Sequence, residues 1–223
     1  MCGRFTLTAS GETLAEAFNL DEAPTIQPRY NIAPTQPVAA VRLSPDAGKR
    51  ELTFFQWGLV PSWSKDTQNS SRLINARAET VTEKPSFRTA FKRRRCLIPA
   101  SGFYEWQRQG NRKQPMYIHA GEGEVFALAG LWERWQGADG SELESCTILT
   151  TEPNELMRDI HNRMPVIIEP ADYSMWLDPG PNPEDALHLL RPYPADQMIA
   201  SPVSTFVNNP RNDTPECIAP LAG

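Results

Sequence analysis

The chain strings short apolar runs between polar turns, and few runs are long enough for more than one element each. Strand-like runs, rich in β-branched and aromatic residues, fall at Val38–Leu43, Leu52–Trp57, Cys96–Ile98, Met116–His119, Glu124–Trp132, Cys146–Thr150, Val166–Ile168 and Ser204–Val207. Gln109–Lys113 and Gly137–Gly140 read as hairpin tips. Helical spacing is rarer. Ser10–Leu20 sets Leu14, Ala17 and Phe18 on one face, and Pro85–Arg95 carries Phe87 and Phe91 four apart. Glu152–His161 opens with acids and Pro153 and ends in basic residues. Pro170–Leu177 and Pro183–Arg191 are two further helical stretches. Strands in runs, without regular alternation with helices, predict an α+β fold with mainly antiparallel sheets. Twenty-one prolines spread over 223 residues agree with many short elements and stiff turns. A single domain over residues 1–223 is expected.

Composition narrows the class. No window approaches 18 consecutive apolar residues, so no helical membrane span is predicted. The opening MCGRFTLTAS lacks the apolar run of a secretory signal. Four cysteines, Cys2, Cys96, Cys146 and Cys217, include no C-x-x-C pair. That argues against a disulfide scaffold and a structural zinc site, and a reducing, cytoplasmic setting is expected. The net charge of −5 speaks against a nucleic-acid binder taken whole. Yet Arg72 to Lys113 holds eleven basic and three acidic residues, a net of +8. Such a basic middle can form a phosphate-binding face, or simply a solvated face with scattered ion pairs.

Cys2 is the most unusual placement. Once Met1 is cleaved, it would present an amine and a thiol two carbons apart. Their ordinary constants, about 7.7–8.0 and about 8.5, leave a minor share of each in its nucleophilic form at neutral pH. Together they make a bidentate trap for an aldehyde. The amine condenses to a Schiff base, and the thiol adds to the imine carbon to close a five-membered thiazolidine. Taken alone, Cys2 reads as a poorly constrained terminus.

Further stretches change that weighting. They are Met1–Phe5 (MCGRF), Arg29–Pro34 (RYNIAP), Trp57–Trp63 (WGLVPSW), Ile74–Glu79 (INARAE), Cys96–Trp106 (CLIPASGFYEW) and Asp159–Pro165 (DIHNRMP). Together they resemble the SOS-response-associated peptidase family, also called abasic site processing proteins. The resemblance implies a bifurcated, partly barrel-like β-sheet core with peripheral helices. It implies binding to single-stranded DNA or strand junctions, covalent capture of abasic sites by the N-terminal cysteine, and no metal or organic cofactor. It places the nucleophile on Cys2, a substrate-positioning asparagine on Asn75, and catalytic groups on Glu105 and His161. Phosphate-binding arginines fall on Arg4, Arg77 and Arg163, and the family's tryptophans on Trp63 and Trp106. A monomer that joins the nucleoid when bound to DNA is expected.

The residues read independently support these roles. Schiff-base formation needs a proton taken from the amine and water expelled from a carbinolamine, and one carboxyl group such as Glu105 can serve both steps. Glu105 reads otherwise as an ion pair with a nearby arginine. His161, at the end of a predicted helix, can donate to the sugar oxygen O4′ and help open the ring, or it merely caps the helix. Asn75 can fix the N-terminal backbone or orient the aldehyde, and Arg77 lies two residues on along the same strand face. Two other classes compete. Cys2, His161 and Asn75 are the residue types of a cysteine-peptidase triad, which would also allow autocatalytic removal of Met1. Alternatively, Trp63, Trp106 and the arginines form a non-enzymatic module for single-stranded or modified DNA.

Overall fold

A computed structural model describes residues 2–44, 48–68, 70–121, 123–178 and 180–221. In chain order the strands are β1 (Phe5–Leu7), β2 (Arg29–Ile32), β3 (Pro37–Leu43), β4 (Arg50–Trp57), β5 (Asn75–Arg77), β6 (Arg95–Ala100) and β7 (Gly102–Gln109). They continue with β8 (Arg112–His119), β9 (Phe126–Gln136), β10 (Glu142–Thr151), β11 (Met164–Pro165), β12 (Ile167–Ile168) and β13 (Ile199–Pro202). The α-helices are short: α1 (Gly11–Phe18), α2 (Arg88–Arg93), α3 (Glu155–Arg158) and α4 (Tyr173–Leu177).

β10 pairs with β4, β4 with β3, β3 with β6, β6 with β9, and β9 returns to β10, closing a five-stranded barrel. Closure removes the free edges of these strands. β6 and most of β9 and β10 are buried on both sides and carry near-continuous apolar runs, and Val41, Phe55, Trp57, Leu97, Leu131 and Ile148 are fully or almost fully enclosed. β5 lies parallel on β10, with Asn75 opposite Ile148 and Arg77 opposite Thr150. The second sheet runs β13-β8-β7-β1-β2. One face, through Phe5, Phe103 and Ile118, joins the main core. The other, through Tyr104 and Tyr117, packs under the C-terminal segment at Val203, Val207 and Cys217. The fold is α+β and mainly antiparallel, and its sheet is bifurcated and partly closed into a barrel, as expected.

Local chemistry sets the element ends. Ser10 caps α1 by accepting from the Thr13 N–H, and Leu14 and Phe18 are buried beneath it. The expected helix Glu152–His161 is only Glu155–Arg158, because Asn154 Oδ1 accepts from the Met157 N–H and starts the helix later. His161 therefore lies in the loop before β11. Pro85–Arg95 shrinks likewise to α2, and Pro183–Leu189 is 3-10 helix. Ser204–Val207, expected as a strand, is also a 3-10 turn, since Ser204 Oγ accepts from the Phe206 N–H. Arg95 belongs to β6 and is 3% exposed. Its guanidinium donates to the carbonyls of Met175, Trp176 and Asp178 at the end of α4 and of Pro183 beyond it. Burial lowers its pKa to about 10.

All four cysteines are free and buried. Burial pushes the thiols of Cys2, Cys96 and Cys146 up, and likewise the phenols of Tyr104, Tyr117 and Tyr173. The unfolded chain releases these protons at about 8.5 for Cys and about 10 for Tyr, while the folded chain holds them. Their stabilising contribution is complete below those values and declines as pH rises through them. Thermal melts under reducing conditions should show Tm falling from about pH 8.5 upward and more steeply past about pH 10. A flat Tm across that window would contradict the burial.

Candidate functional site

β1 pairs antiparallel with β7, Phe5 opposite Phe103 and Thr6 opposite Gly102, and the Tyr104 N–H donates to the Arg4 carbonyl. Continuing that register sets Gly3 opposite Glu105 and delivers Cys2 to the same spot. Cys2 has no solvent exposure and Glu105 has 3%. The Asn75 side chain, coming from β5 on the barrel, donates through Nδ2 to the Cys2 carbonyl at 2.9 Å. Its Oδ1 is buried and accepts no hydrogen bond among the described residues. It thus offers an acceptor beside the backbone of Cys2. His161 Nδ1 lies 4.0 Å from Glu105 Oε1. The Arg163 N–H donates to that same Nδ1 at 3.0 Å. The Arg163 carbonyl oxygen lies 3.2 Å from the same Nδ1, so the backbone of Arg163 holds the ring in place.

The four expected catalytic positions therefore meet at a seam. Cys2 and Glu105 come from the smaller sheet, and Asn75 and His161 from the barrel side. Gln107, two residues past Glu105, ties the seam by donating to the Asp159 carbonyl at 3.1 Å. Burial, reinforced by the nearby charge of Glu105, raises the Cys2 thiol well above its ordinary value. The thiolate share expected for an unburied Cys2 is accordingly not held in this fold. Met1, whose removal the amine chemistry requires, lies outside the described residues.

The expected DNA contacts divide. Arg77 is exposed on β5. Arg163 donates to both carboxylate oxygens of Glu79, at 2.6 and 2.9 Å, and to the Thr150 carbonyl at 2.6 Å. A phosphate at Arg163 must compete with Glu79. Arg4 donates to Asn31 Oδ1 at 2.7 Å and to the Val207 carbonyl at 3.0 Å, and sits 5.7 Å over the Trp106 ring. Trp106 in turn donates to Asn208 Oδ1 at 2.8 Å. Arg4 and Trp106 thus belong to the face under the C-terminal segment, opposite the face of Glu105. Trp63 is 66% exposed. Its loop is pinned on both sides: the Val60 N–H donates to Ser145 Oγ, and Trp135 Nε1 donates to the Ser64 carbonyl. The loop leaves β4 at Gly58, φ 129°, where a Cβ would meet the Ser70 carbonyl oxygen at 2.6 Å.

Asn31 and Asp213 carry no role in the sequence reading, yet they hold this arrangement. Asn31 Nδ2 donates to the carbonyls of Val207, Asn209 and Asn212. The Asp213 carboxylate accepts from the Tyr30 and Asn31 N–H groups and pairs with Arg29. The RYNIAP stretch contained Asn31, but nothing local to it announces partners 176 or more positions away. Among the described residues no group of His, Cys, Asp and Glu is placed to hold a metal ion, and no helix is long and apolar enough to cross a membrane.

A family model described as "SOS response associated peptidase (SRAP)" matches residues 1–210. Abasic site processing protein YoqW of Bacillus subtilis is 46% identical over 223 residues, covering 98% of this chain and 99% of that protein. Abasic site processing protein HMCES of Xenopus tropicalis is 34% identical over 266 residues, covering 99% of this chain and 78% of that one. A crystal structure of a protein from Bacteroides thetaiotaomicron superposes with a TM-score of 0.88 at 27% identity, covering 99% of this chain and all of that one. With matches that run nearly end to end in sequence and in fold, the chain belongs to the SOS response associated peptidase (SRAP) family.

Proposed function

We propose that this chain processes abasic sites in single-stranded DNA by capturing them on Cys2 as a stable DNA–protein crosslink. The observation that carries the reading is the seat of Cys2: enclosed, its carbonyl held by Asn75, its thiol beside Glu105. The names of the relatives, abasic site processing proteins, support the substrate.

The chemistry runs in two bond-forming steps. The Cys2 amine, exposed once Met1 is removed, attacks C1′ of the open sugar. Glu105 carries the two amine protons in turn to the former carbonyl oxygen, first giving the carbinolamine and then releasing water to leave the imine. The Cys2 sulfur then adds to the imine carbon, and its proton passes to the imine nitrogen. The thiazolidine closes with one water lost in total. His161 donates to O4′ to open the closed sugar. Arg77 is the exposed arginine best placed for a flanking phosphate, and Trp63 for a base. While the imine persists, loss of the C2′ proton can expel the 3′ phosphate, so strand cleavage is a side branch.

The raised thiol favours this order over peptidase chemistry. A peptidase needs a thiolate stabilised by a neighbouring cation. Here burial and the charge of Glu105 oppose ionisation of the thiol and outweigh the terminal ammonium and the Arg4 backbone hydrogen bond, which favour it. An amine-first route needs no thiolate at the start. Borohydride reduction during incubation with an abasic single-stranded oligonucleotide should trap a covalent secondary amine at residue 2. A thiol peptidase, or a module that only binds, would give no trapped species.

A further inference from the structure

We propose that the β7–β8 hairpin tip is a second phosphate-binding element that grips the DNA flanking the captured nucleotide. The inference rests on the proposed function and extends it beyond the Cys2 seam. β1 pairs with β7 only near its start, and β13 pairs with β8 only at Met116–His119. Residues 107–114 therefore project as a two-stranded ribbon beyond both neighbouring strands. A two-residue loop, Gly110-Asn111, closes it between Gln109 and Arg112, with Gly110 at φ 60°, where a tight hairpin turn takes glycine.

The charges on this ribbon are arranged against its own stability. Arg108 stands directly opposite Lys113, and Arg112 is the next residue on the return strand. All three are exposed. Among the described residues none of them has an acidic group within ion-pair distance. Like charges directly opposite in a strand pair are destabilising. Two other cations of the basic middle are matched internally: Arg94 pairs with Glu133, and Arg95 is enclosed by carbonyls. A polyanion is the partner that turns the ribbon's repulsion into attraction.

The ribbon is also aimed. It grows out of the strand that carries Glu105, and Gln107 at its base is bound to the loop of His161. Arg108 lies three residues beyond Glu105, about 10 Å along the strand and on its opposite face, while Arg112, paired with Gln109, takes the face of Glu105. At 3.4 Å per nucleotide of a stacked strand, that reach corresponds to about three nucleotides. Arg108 and Lys113 share one face of the ribbon and Arg112 takes the other, so the tip can meet phosphates on either side.

The test is the triple variant Arg108→Gln, Arg112→Gln, Lys113→Gln. Non-covalent binding is measured against salt for abasic oligonucleotides with one nucleotide on each side, with long single-stranded flanks, and with duplex flanks on the 5′ or 3′ side. On at least one flanked substrate the salt slope should drop by about 0.7–0.9 log units per lost contact. The substrate that shows the drop names the strand form and side. Crosslinking of the shortest substrate should be unchanged, and Tm should be equal or higher because the repulsion is gone. Equal salt slopes for variant and wild type on every flanked substrate would overturn the ribbon's role, and so would a lower Tm. Wild-type crosslinking of the shortest substrate reads the Cys2 chemistry separately. Its failure would remove the proposed function, not the ribbon's affinity for phosphates.

Discussion

Cys2→Ala should abolish the heat-stable DNA adduct while leaving a borohydride-trappable imine. Alanine is small enough for Met1 still to be removed, so an N-terminal amine remains and can condense with the aldehyde. What it lacks is the sulfur. In the wild type the thiol is tethered two carbons from the imine, and such closures carry effective molarities of about 10⁵–10⁸ M. No external thiol replaces that advantage, and the imine reverts to amine and aldehyde in water. The Asn75 hydrogen bond to the residue-2 carbonyl does not depend on the side chain, so the backbone seat should survive. Heat-stable crosslinking by Cys2→Ala at the wild-type yield would sink the thiazolidine.

The second large effect divides Glu105 from His161. Glu105→Gln removes the group that takes and returns the proton, so adduct formation should slow by about 10²–10⁴-fold. Glutamine keeps the shape of a buried side chain, so noncovalent binding should change little. His161→Ala should slow capture of the natural abasic sugar, whose ring must open. It should matter less for an acyclic aldehyde analogue, which has no ring oxygen to protonate. Single-turnover crosslinking rates of both variants on both substrates make the comparison. The same loss for His161→Ala on both would remove its role at O4′. A wild-type rate for Glu105→Gln would make the carboxylate a structural partner of His161, which it faces at 4.0 Å.

The barrel was largely legible in the sequence. Cys146–Thr150 is enclosed on both sides and its apolar run announces it, while in Leu52–Trp57 Phe55 and Trp57 are buried and Phe54 beside them is exposed. The strands that build the seam were harder. β1 and β5 have three residues each, too few for any periodicity to show, and β5 exists because β10 offers it a parallel edge. β7 mixes apolar and charged residues because its start is buried on both faces, Glu105 lies in the seam and Arg108 lies on the exposed tip. Ser204–Val207 misled because Thr205, Phe206 and Val207 favour strands, while the Ser204 hydroxyl favours a tight turn.

The site itself was reached through motifs. Cys2 was conspicuous alone, but Asn75, Glu105 and His161 gained meaning only as parts of INARAE, GFYEW and DIHNR. The ion pair of Arg163 with Glu79 and the hub at Asn31 depend on contacts across 84 and 176 positions, which no local pattern carries.

Intact-mass spectrometry before and after incubation with an abasic single-stranded oligonucleotide tests the central claim most directly. The account predicts a starting protein lacking Met1, then an adduct weighing the sum of that protein and the oligonucleotide less one water. An adduct formed by protein that retains Met1, or one formed without loss of water, would contradict capture by the Cys2 amine.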